Sequence, residues 1–398
     1  MPPGAPIRVA RVVTRLNIGG PSIQAVELSS RLSARGCETL LIHGRVGADE
    51  GDMSYLLERA VPRPRTTQLA ALQRPLAPLA DARALWQVYR QLRAFKPHIV
   101  HTHMAKAGAV GRLAAVAYNR VAGRRASARI VHTYHGHVLE GYFGAAKTQL
   151  FITAERRLAG ITDRIVAISP RIRDELVGQY EIGRAEQYRV VPLGFDLGAL
   201  AAIDDPARTR ARAALEIPAG ATVVATVGRL TGIKDQWLFL EVAKRVGLTH
   251  PAAVFLVAGD GELRAELEGA AASFGLAGRV RFLGWRRDLD TVYGATDIFL
   301  LTSRNEGTPV ALVESLAAGC AGISTDVGGV ADVLPSADVG LLAPPGDVEG
   351  LVDHVSRLAA DPRRRRAMGD AGRALVMARY GIERLVADID RLYRDLLA

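Results

Sequence analysis

The chain has 398 residues, of which 49% are hydrophobic and 23% charged, and its formal net charge is +10. This length allows two packed domains, and the composition excludes a mostly disordered or collagen-like chain. The two cysteines form neither a disulfide framework nor a CxxC zinc motif. The N-terminal segment lacks the pattern of an export signal, and no apolar run reaches about 18 residues, so we expect a cytoplasmic protein.

Short β-branched segments alternate with longer segments rich in Ala and Leu, the pattern of strand–helix units around a parallel sheet. In the first half, predicted strands cover residues 7–14, 39–43, 99–101, 129–133 and 164–168. Predicted helices cover 82–95 and 147–159, and residues 62–78 are predicted to form a long loop. The second series of strands covers 222–227, 253–258, 280–283, 297–301 and 322–325, and a last helix is predicted at 382–397.

These two series predict an α/β fold with two Rossmann-like, doubly wound parallel-sheet domains facing across a cleft. The N-terminal domain is predicted to comprise residues 1–195 together with the C-terminal helix at 381–398. The C-terminal domain is predicted to comprise residues 196–380. Two similar halves make the cleft between them the expected ligand site.

The most informative motif is SRNEGTPVALVESLAAGC, in which a strand leads through a loop into a helix. Thr308 is the predicted N-cap residue, and Pro309 takes the first helical position. Glu306 and Gly307 therefore precede a helix N-terminus whose free N–H groups suit a phosphate. Glu314 follows one turn into the helix, where its carboxylate can reach a ribose diol. A solvated acidic helix start is the alternative.

Two further motifs place polar groups on the same predicted sheet edge. VATVGRLTGIKDQ carries Arg229 and Lys234 just past the first strand of the second domain, and Gly228 permits close approach of the backbone. In VAGDGELRAEL, Asp260 and Gly261 follow the next strand. Each segment could be an ordinary strand–helix turn, but three turns with matching chemistry favour a diphosphate site.

Residues 222–334 resemble the nucleotide-sugar domain of retaining glycosyltransferases of the GT-B architecture, family four, also called group 1. The resemblance rests on GRL…K, AGDGEL, FLGWRRDL, DIFLLTS, the pair Glu306-x7-Glu314 and STDVGG. It extends more weakly through NIGGPSIQAVELS, TYHGHVLEGYF and VPLGFD. The sequence departs from the family pattern at Leu193, where Asn is frequent, and in CAGIS, where a basic residue and Pro are common at the first two positions.

The resemblance implies catalytic roles for four residues. Arg229 and Lys234 would hold the donor diphosphate and stabilise it as it leaves. Glu306 would contact the hydroxyls of the donor sugar. His135 would be the active-site histidine of the acceptor domain, near the transferred sugar.

The resemblance also implies a donor-binding set. Its members would bind phosphates or sugar through backbone groups, contact the ribose, or let the backbone approach the donor. The set is Gly19, Gly20, Gly228, Asp260, Gly261, Gly307, Thr308, Pro309, Val310 and Glu314.

The activity implied by the family is transfer of a hexose-type sugar from a nucleotide diphosphate sugar, with UDP as the expected nucleotide, to an acceptor hydroxyl. The expected mechanism is a retaining, front-face transfer. No DxD-like motif stands beside the cations, so neither a metal nor another cofactor is expected. The acceptor, which could be lipid-linked, would bind the N-terminal domain, where loops 62–78 and 138–144 would determine specificity.

Two other functions stay open at this stage. A UDP-N-acetylglucosamine 2-epimerase of the same architecture needs no acceptor and would form product from the nucleotide sugar alone. A polyanion-binding non-enzyme is suggested by residues 1–200, which hold 28 Lys and Arg against 15 Asp and Glu. No nucleic-acid-binding motif supports the second alternative, so no nucleic-acid partner is expected.

The histidines of HTH and HTYHGH could also indicate a zinc site. Three of them end predicted parallel strands, where buried and hydrogen-bonded histidines are common. No carboxylate accompanies HTH in an HExxH-like arrangement. We therefore predict no metal at this cluster: His101, His103, His132, His135 and His137.

Residues 106–125 predict a helix with a basic, exposed face. At about 100° per residue, basic side chains alternate with Leu113 and Val116 on one side, and Val121 belongs to the core-facing stripe. Such a face predicts docking on an anionic membrane surface at the inner face of the cell membrane. A solvated Arg-rich face is the alternative. The basic residues are Lys106, Arg112, Arg120 and Arg124.

Overall fold

The computed structural model describes residues 5–47, 50–123, 127–135 and 145–398, with the backbone alone for 145–147. The predictions for Arg124, His137 and loop 138–144 lie outside these residues. Among the described helices, none has the length and apolar character needed to span a membrane.

The described strands form two all-parallel sheets, one in each half of the chain. β-branched runs such as IRVARVV and VVATV form buried strands because branched side chains pack well on a pleated surface covered on both faces. The strands are β1 Ile7–Val13, β2 Cys37–His43, β3 Arg65–Gln68, β4 Ile99–His103, β5 Arg129–Tyr134, β6 Arg164–Ala167, β7 Tyr188–Val190, β8 Val223–Val227, β9 Val254–Ala258, β10 Val280–Gly284, β11 Ile298–Leu301, β12 Ala321–Thr325 and β13 Gly340–Ala343.

Helices connect successive strands, as parallel pairing requires. Most are amphipathic and cover one face of a sheet with their apolar side. The α-helices are α1 Gly20–Arg31, α2 Tyr55–Arg59, α3 Pro78–Phe95, α4 Ala105–Ala122, α5 Ala145–Ala159, α6 Pro170–Asp174, α7 Gly198–Ala201, α8 Asp205–Ala214, α9 Gln236–Thr249, α10 Arg264–Ser273, α11 Leu289–Ala295, α12 Val310–Ala317, α13 Val330–Val333, α14 Val348–Ala360, α15 Pro362–Tyr380 and α16 Ile382–Leu397.

The chain divides into two compact units. The first unit is Met1–Phe195 with Ile382–Ala398, and the second unit is Asp196–Gly381. The strand order is β3-β2-β1-β4-β5-β6-β7 in the first unit and β10-β9-β8-β11-β12-β13 in the second. Each order reverses beside the first strand of its unit, which is the doubly wound topology. The predicted fold class of two Rossmann-like parallel-sheet domains is confirmed.

Three strands at the edges of the sheets were not predicted from the sequence. β3 lies within residues 62–78, which were predicted as a loop, and its RTTQ segment is largely exposed at the edge of the first sheet. β7 and β13 are also outermost strands, with three and four residues. Short edge strands lack the apolar run that identifies buried strands, so periodicity does not detect them.

α16 returns the end of the chain to the first unit. Its apolar residues recur at helical spacing, and Leu385, Ile389 and Tyr393 are buried against side chains of β1 and β4. Arg384 donates to the backbone carbonyls of Pro192 and Leu193. The helix therefore packs against the same sheet that begins at the N-terminus.

The predicted basic face of α4 is wrong. Arg112 is fully buried and donates to the Glu155 carboxylate at 2.7 Å, and Lys106 pairs with Asp81 at 2.5 Å. Val121, predicted to face the core, is exposed. The helical angles alone could not reveal that a carboxylate 43 residues away accepts the Arg112 guanidinium inside the protein.

α4 also lies unusually close to the sheet on the Arg112 side. A Cβ atom added at Gly111 would lie 2.6 Å from a methyl carbon of Thr102 on β4. Because only glycine tolerates this distance, the face of α4 that includes Gly111 and Arg112 packs against the sheet.

Candidate active site

The predicted site residues follow the carboxyl ends of strands or begin the next helix. In a parallel sheet these ends share one edge, which brings loops from distant parts of the sequence together. In the first unit the loops follow β1 and β5. In the second unit they follow β8, β9 and β11.

The loops after β8 and β11 meet in an ion pair. The Lys234 ammonium donates to Glu306 Oε1 at 2.5 Å, and the Ser303 hydroxyl donates to the same oxygen at 2.6 Å. The Glu306 side chain is 8% exposed and that of Lys234 is 25% exposed. An ammonium carries three hydrogens, so Lys234 can hold Glu306 and still donate to a phosphate oxygen.

Asp235 links the loop after β8 to the loop after β11. Its side chain accepts from Arg304 Nε at 2.7 Å, and its carbonyl accepts from the Thr302 hydroxyl at 2.9 Å. Sequence reasoning missed both Asp235 and Ser303 as site residues. Ser303 lies three residues before Glu306 in the same loop, and this spacing could have indicated its contact with Glu306. The Asp235 contacts could not be predicted, because they involve residues 67 and 69 positions away in the sequence.

Arg229 differs from Lys234 although both lie between β8 and α9. Its side chain is exposed, and no carboxylate among the described residues pairs with it. Its backbone carbonyl accepts from Gln236 Nε2 at 2.8 Å, which anchors the loop. The Arg229 guanidinium is thus free to meet an anion, while its backbone is fixed.

The loops after β8 and β9 are joined through their backbones. Gly228 donates to the carbonyl of Ala258 at 2.9 Å, and Leu230 donates to that of Asp260 at 3.0 Å. The Asp260 side chain accepts from the Gly261 amide and pairs with Arg264. The contacts of the Asp260 side chain stay within its own turn. The implied role of Asp260 and Gly261 in donor binding stays a prediction.

α12 begins one residue later than predicted. Pro309 has φ −76° and ψ 87°, which is not helical, so it occupies the N-cap position that was predicted for Thr308. Pro309 has no N–H, so the segment offers the amides of Gly307, Thr308 and Val310. Pro309, a member of the donor-binding set, therefore cannot bind a phosphate through a backbone amide.

The STDVGG segment holds the backbone of the Glu306 loop. Gly329 donates to the carbonyls of Glu306 and Gly307, both at 3.1 Å. Gly328 has φ +53°, and a Cβ there would lie 1.7 Å from the Glu306 carbonyl oxygen. A Cβ at Gly329 would likewise lie 2.1 Å from the Gly307 carbonyl oxygen, so only glycine fits at both positions.

Glu314 lies on α12 beside a buried tyrosine. The Tyr293 hydroxyl donates to Glu314 Oε2 at 2.8 Å. Burial raises the pKa of the Glu314 carboxyl to about 7, and the hydrogen bond from Tyr293 opposes this rise. Tyr293, on α11, was missed because an aromatic residue inside a helix is indistinguishable from core in the sequence.

In the first unit, the loop after β1 leads into α1. Gly19 precedes the helix with φ +146°, and Gly20 is its first residue. Arg15 pairs with Glu50 at 2.5 Å, and this contact holds the pKa of the Glu50 carboxyl below its usual value. The Ser22 hydroxyl donates to the Asn17 carbonyl at 2.6 Å. The predicted glycine pair therefore lies in an anchored loop.

His135 follows β5 and contacts a second histidine. Its Nε2 lies 2.9 Å from Nδ1 of His103. Burial, and then the charge of Arg11, lower the pKa of His135 to about 3. His101, His103 and His132 are buried and hydrogen-bonded, as predicted. Their predicted placement at strand ends holds for His103 alone, because His101 lies in the middle of β4 and His132 lies inside β5. In the described part of the chain no three His, Cys, Asp or Glu side chains group as metal ligands.

Two family models match the chain in succession. The model described as "Glycosyltransferase Family 4" matches residues 18–199, and "Glycosyl transferases group 1" matches residues 207–375.

Curated relatives cover nearly the whole chain. The UDP-Gal:alpha-D-GlcNAc-diphosphoundecaprenol alpha-1,3-galactosyltransferase of Escherichia coli is 27% identical over 88% of each chain. The 2-deoxystreptamine N-acetyl-D-glucosaminyltransferase of Streptomyces fradiae is 28% identical over 92% of this chain and 88% of the relative. Among solved structures, Anabaena HepE in complex with UDP and glucose aligns with TM-score 0.80 and 19% identity over 98% of this chain and 100% of its own.

The raised pKa of Glu314 predicts that stability of the second unit depends on pH. The folded unit keeps the proton up to about pH 7, whereas the unfolded chain releases it near pH 4.5. The free energy of unfolding therefore falls by roughly 3 kcal/mol as pH rises through this window. In a Trp86→Phe background, fluorescence of Trp237 and Trp285 reports urea unfolding of this unit alone. Glu314→Gln should abolish the pH slope.

The matched control is Glu349→Gln, which removes a carboxylate that is 79% exposed in the same unit. This variant should keep the wild-type slope. A slope that persists unchanged in Glu314→Gln would contradict the assignment.

Proposed function

The chain belongs to the family-four, group 1 glycosyltransferases of the GT-B architecture, and from this premise we propose that it is a retaining hexosyltransferase using a UDP-sugar and an acceptor hydroxyl. The observation that carries the proposal is the Lys234–Glu306 pair at the carboxyl edge of the second sheet, in front of α12. The Escherichia coli relative is named for UDP-Gal, and HepE was crystallised with UDP and glucose, which supports UDP as the nucleotide. Family membership sets aside the non-enzyme alternative.

Cleavage of the glycosyl–diphosphate bond leaves negative charge on the departing group while positive charge develops at the anomeric carbon. Arg229 has no carboxylate partner among the described residues, and Lys234 keeps hydrogens beyond the one given to Glu306. The amides before α12 add further donors. Preorganised charges and dipoles of this kind are usually the largest contribution to catalysis.

Glu306 is suited to bind sugar hydroxyls rather than to attack the anomeric carbon. Its Oε1 is held by Lys234 and Ser303, which fixes the carboxylate and lowers its nucleophilicity. We therefore propose front-face transfer. The bond from the anomeric carbon to the diphosphate oxygen breaks, the bond to the acceptor oxygen forms on the same face, and a leaving phosphate oxygen takes the acceptor proton.

Glu314 is proposed to bind the ribose. A carboxylate accepts hydrogen bonds from both hydroxyls of a diol. The Tyr293 hydroxyl, on α11, orients the Glu314 side chain by donating a hydrogen bond to it. Ionised Glu314 is the better acceptor, so the ribose and the proton compete for the same oxygens.

A ligand screen tests the proposed donor. A ligand that binds only the folded protein raises its melting temperature. We expect UDP-sugars to stabilise the protein more than the GDP, ADP and dTDP sugars do. Product formation from the nucleotide sugar without an acceptor would instead indicate the 2-epimerase. No stabilisation by any of the four nucleotide classes would contradict the proposal.

Substitution of Glu306 should lower turnover, whereas substitution of Glu314 should weaken nucleotide binding. Glu306→Ala removes a contact to the transferring sugar and should lower kcat by about tenfold or more while UDP affinity stays near wild type. Glu314→Ala removes the ribose contact and should weaken UDP binding by a similar factor, measured by calorimetry. Glu268→Ala, an exposed carboxylate on α10, should change neither quantity. Equal and negligible effects of both active-site substitutions would refute the assignment.

Activity is expected without a divalent metal, because Arg229 and Lys234 take its place at the diphosphate. Turnover should survive EDTA, and Lys234→Ala should cost about 2–4 kcal/mol of transition-state stabilisation in kcat/KM. Lys244→Ala, at the other lysine of the second unit, should stay near wild type. Complete loss in EDTA with recovery on adding Mg²⁺ or Mn²⁺ would show the expectation to be wrong.

We also propose a lipid-linked acceptor, which the diphosphoundecaprenol in the name of the Escherichia coli relative supports. α3 provides a basic and apolar face that α4 does not. Leu79 is 90% exposed, Trp86 is 54% exposed, and the Arg90 guanidinium lies 4.8 Å from the Trp86 ring. Together with exposed Arg83 and Arg93, these positions fall within about 80° of one another around the helix. Arginine beside an interfacial tryptophan suits an anionic lipid surface.

Co-sedimentation with phosphatidylglycerol vesicles tests this face. We expect binding at low salt that weakens as salt is added, because exposed charges are screened. Arg83→Glu/Arg90→Glu should abolish it. Arg363→Glu/Arg364→Glu, which makes the same charge change on exposed residues of α15, should bind like wild type. Absence of binding at low salt would refute membrane docking.

A further inference from the structure

A fully buried arginine lies at the centre of the first sheet. Arg11, on β1, donates to Ser29 Oγ and His101 Nδ1, each at 3.2 Å, to His103 Nε2 at 3.0 Å and to the Tyr393 hydroxyl at 3.2 Å. All four partners are neutral acceptors, and within the described residues no carboxylate pairs with this guanidinium. Arginine stays protonated in proteins, so it is a permanent donor here.

This permanent donor determines the tautomer of His103. Because Arg11 Nη1 can only donate, His103 Nε2 must accept. A neutral imidazole carries one N–H, so the hydrogen of His103 lies on Nδ1. This Nδ1 is 2.9 Å from His135 Nε2 and donates to it.

The same argument then applies to His135. Its Nε2 accepts from His103, so its own hydrogen lies on Nδ1. The Nδ1 atom is buried and finds no hydrogen-bond partner in the described part of the chain. Within the described residues, His135 therefore presents an N–H donor without a partner at the carboxyl end of β5.

The surroundings keep these imidazoles neutral. Burial lowers the pKa of His101 and His103 well below the usual value, and the charge of Arg11 lowers both further. His101 has the opposite tautomer to His103: its Nδ1 accepts from Arg11 and lies 2.6 Å from the Tyr393 hydroxyl, so its hydrogen lies on Nε2, 2.7 Å from Thr133 Oγ1. Among the described residues, the titratable or charged groups that act on the cluster or its partners are Arg11 on β1, Cys37 on β2, His101 and His103 on β4, Arg112 on α4, His132 on β5 and Tyr393 on α16.

We propose that Arg11 and His103 are positioning residues that hold His135 as a neutral imidazole with its hydrogen on Nδ1. His135 then donates a hydrogen bond to an oxygen of the sugar substrate and does not remove a proton from it. The substrate contact rests on the proposed function, whereas the tautomer rests on the hydrogen bonds alone.

The tautomer can be measured in the wild-type enzyme without substrate. Protein labelled with ¹⁵N-histidine gives separate Nδ1 and Nε2 signals, and a His135→Asn variant identifies those of His135. We expect Nδ1 of His135 to carry the hydrogen and its signals to stay unchanged between about pH 5 and 8, the range where free histidine titrates. A hydrogen on Nε2, or titration of His135 in this range, would overturn the proposal.

Two substitutions of His103 separate positioning from packing. His103→Asn keeps an amide donor near the Nδ1 position, and His103→Gln keeps a group near Nε2 but removes the donor to His135. We expect His103→Asn to retain the Nδ1–H tautomer and His103→Gln to lose it. kcat should fall about tenfold in His103→Gln, with KM within about twofold, and recover in His103→Asn. Equal losses in both would overturn the positioning role.

The two measurements distinguish failure of this proposal from failure of the proposed function. If the chain uses another substrate, the wild-type tautomer still stands. If His135 carries its hydrogen on Nε2 in an active UDP-sugar transferase, only the positioning role fails. His250→Gln, at a partly exposed histidine of the second unit, is the control for labelling and for activity.

Discussion

The parallel direction of the strands is the constraint on which the rest of the structure depends. Parallel neighbours cannot be joined by a tight hairpin, so each connection crosses the sheet as a helix and returns to the same end. All carboxyl-end loops of a sheet then share one edge. Residues 229, 260 and 306 are far apart in the sequence, yet each follows a strand of one sheet. Loop chemistry at that edge can vary while the sheets stay fixed.

Within the second unit, the Lys234–Glu306 ion pair joins two loops at this edge. In the proposed function, Lys234 acts at the leaving diphosphate and Glu306 at the sugar hydroxyls. Their direct contact pairs two opposite charges in a partly buried place, where an isolated charge is costly. Asp235 and Arg304 tie the two loops together, so the geometry does not depend on the pair alone.

The first unit handles a buried charge in a different way. Arg11 lies between strands without a carboxylate among its described partners, and its donors go to neutral acceptors on β4, α1 and α16. Tyr393, near the end of the chain, supplies one of them. The C-terminal helix thus completes the hydrogen bonding of a residue near the N-terminus, which gives its return to the first unit a chemical reason in addition to its apolar face.

The sequence by itself determined the alternation of strands and helices, the division into two halves and the polar loops that follow the strands, because apolar periodicity and turn composition are local properties. It could not place Arg112, which the helical angles put on the surface and Glu155 draws into the core. It did not connect Ser303, Tyr293 or Arg11 with the site. Those roles depend on which side chains meet across strands and loops, and only the tertiary structure decides that, because burial and hydrogen-bond partners come from residues distant in the chain.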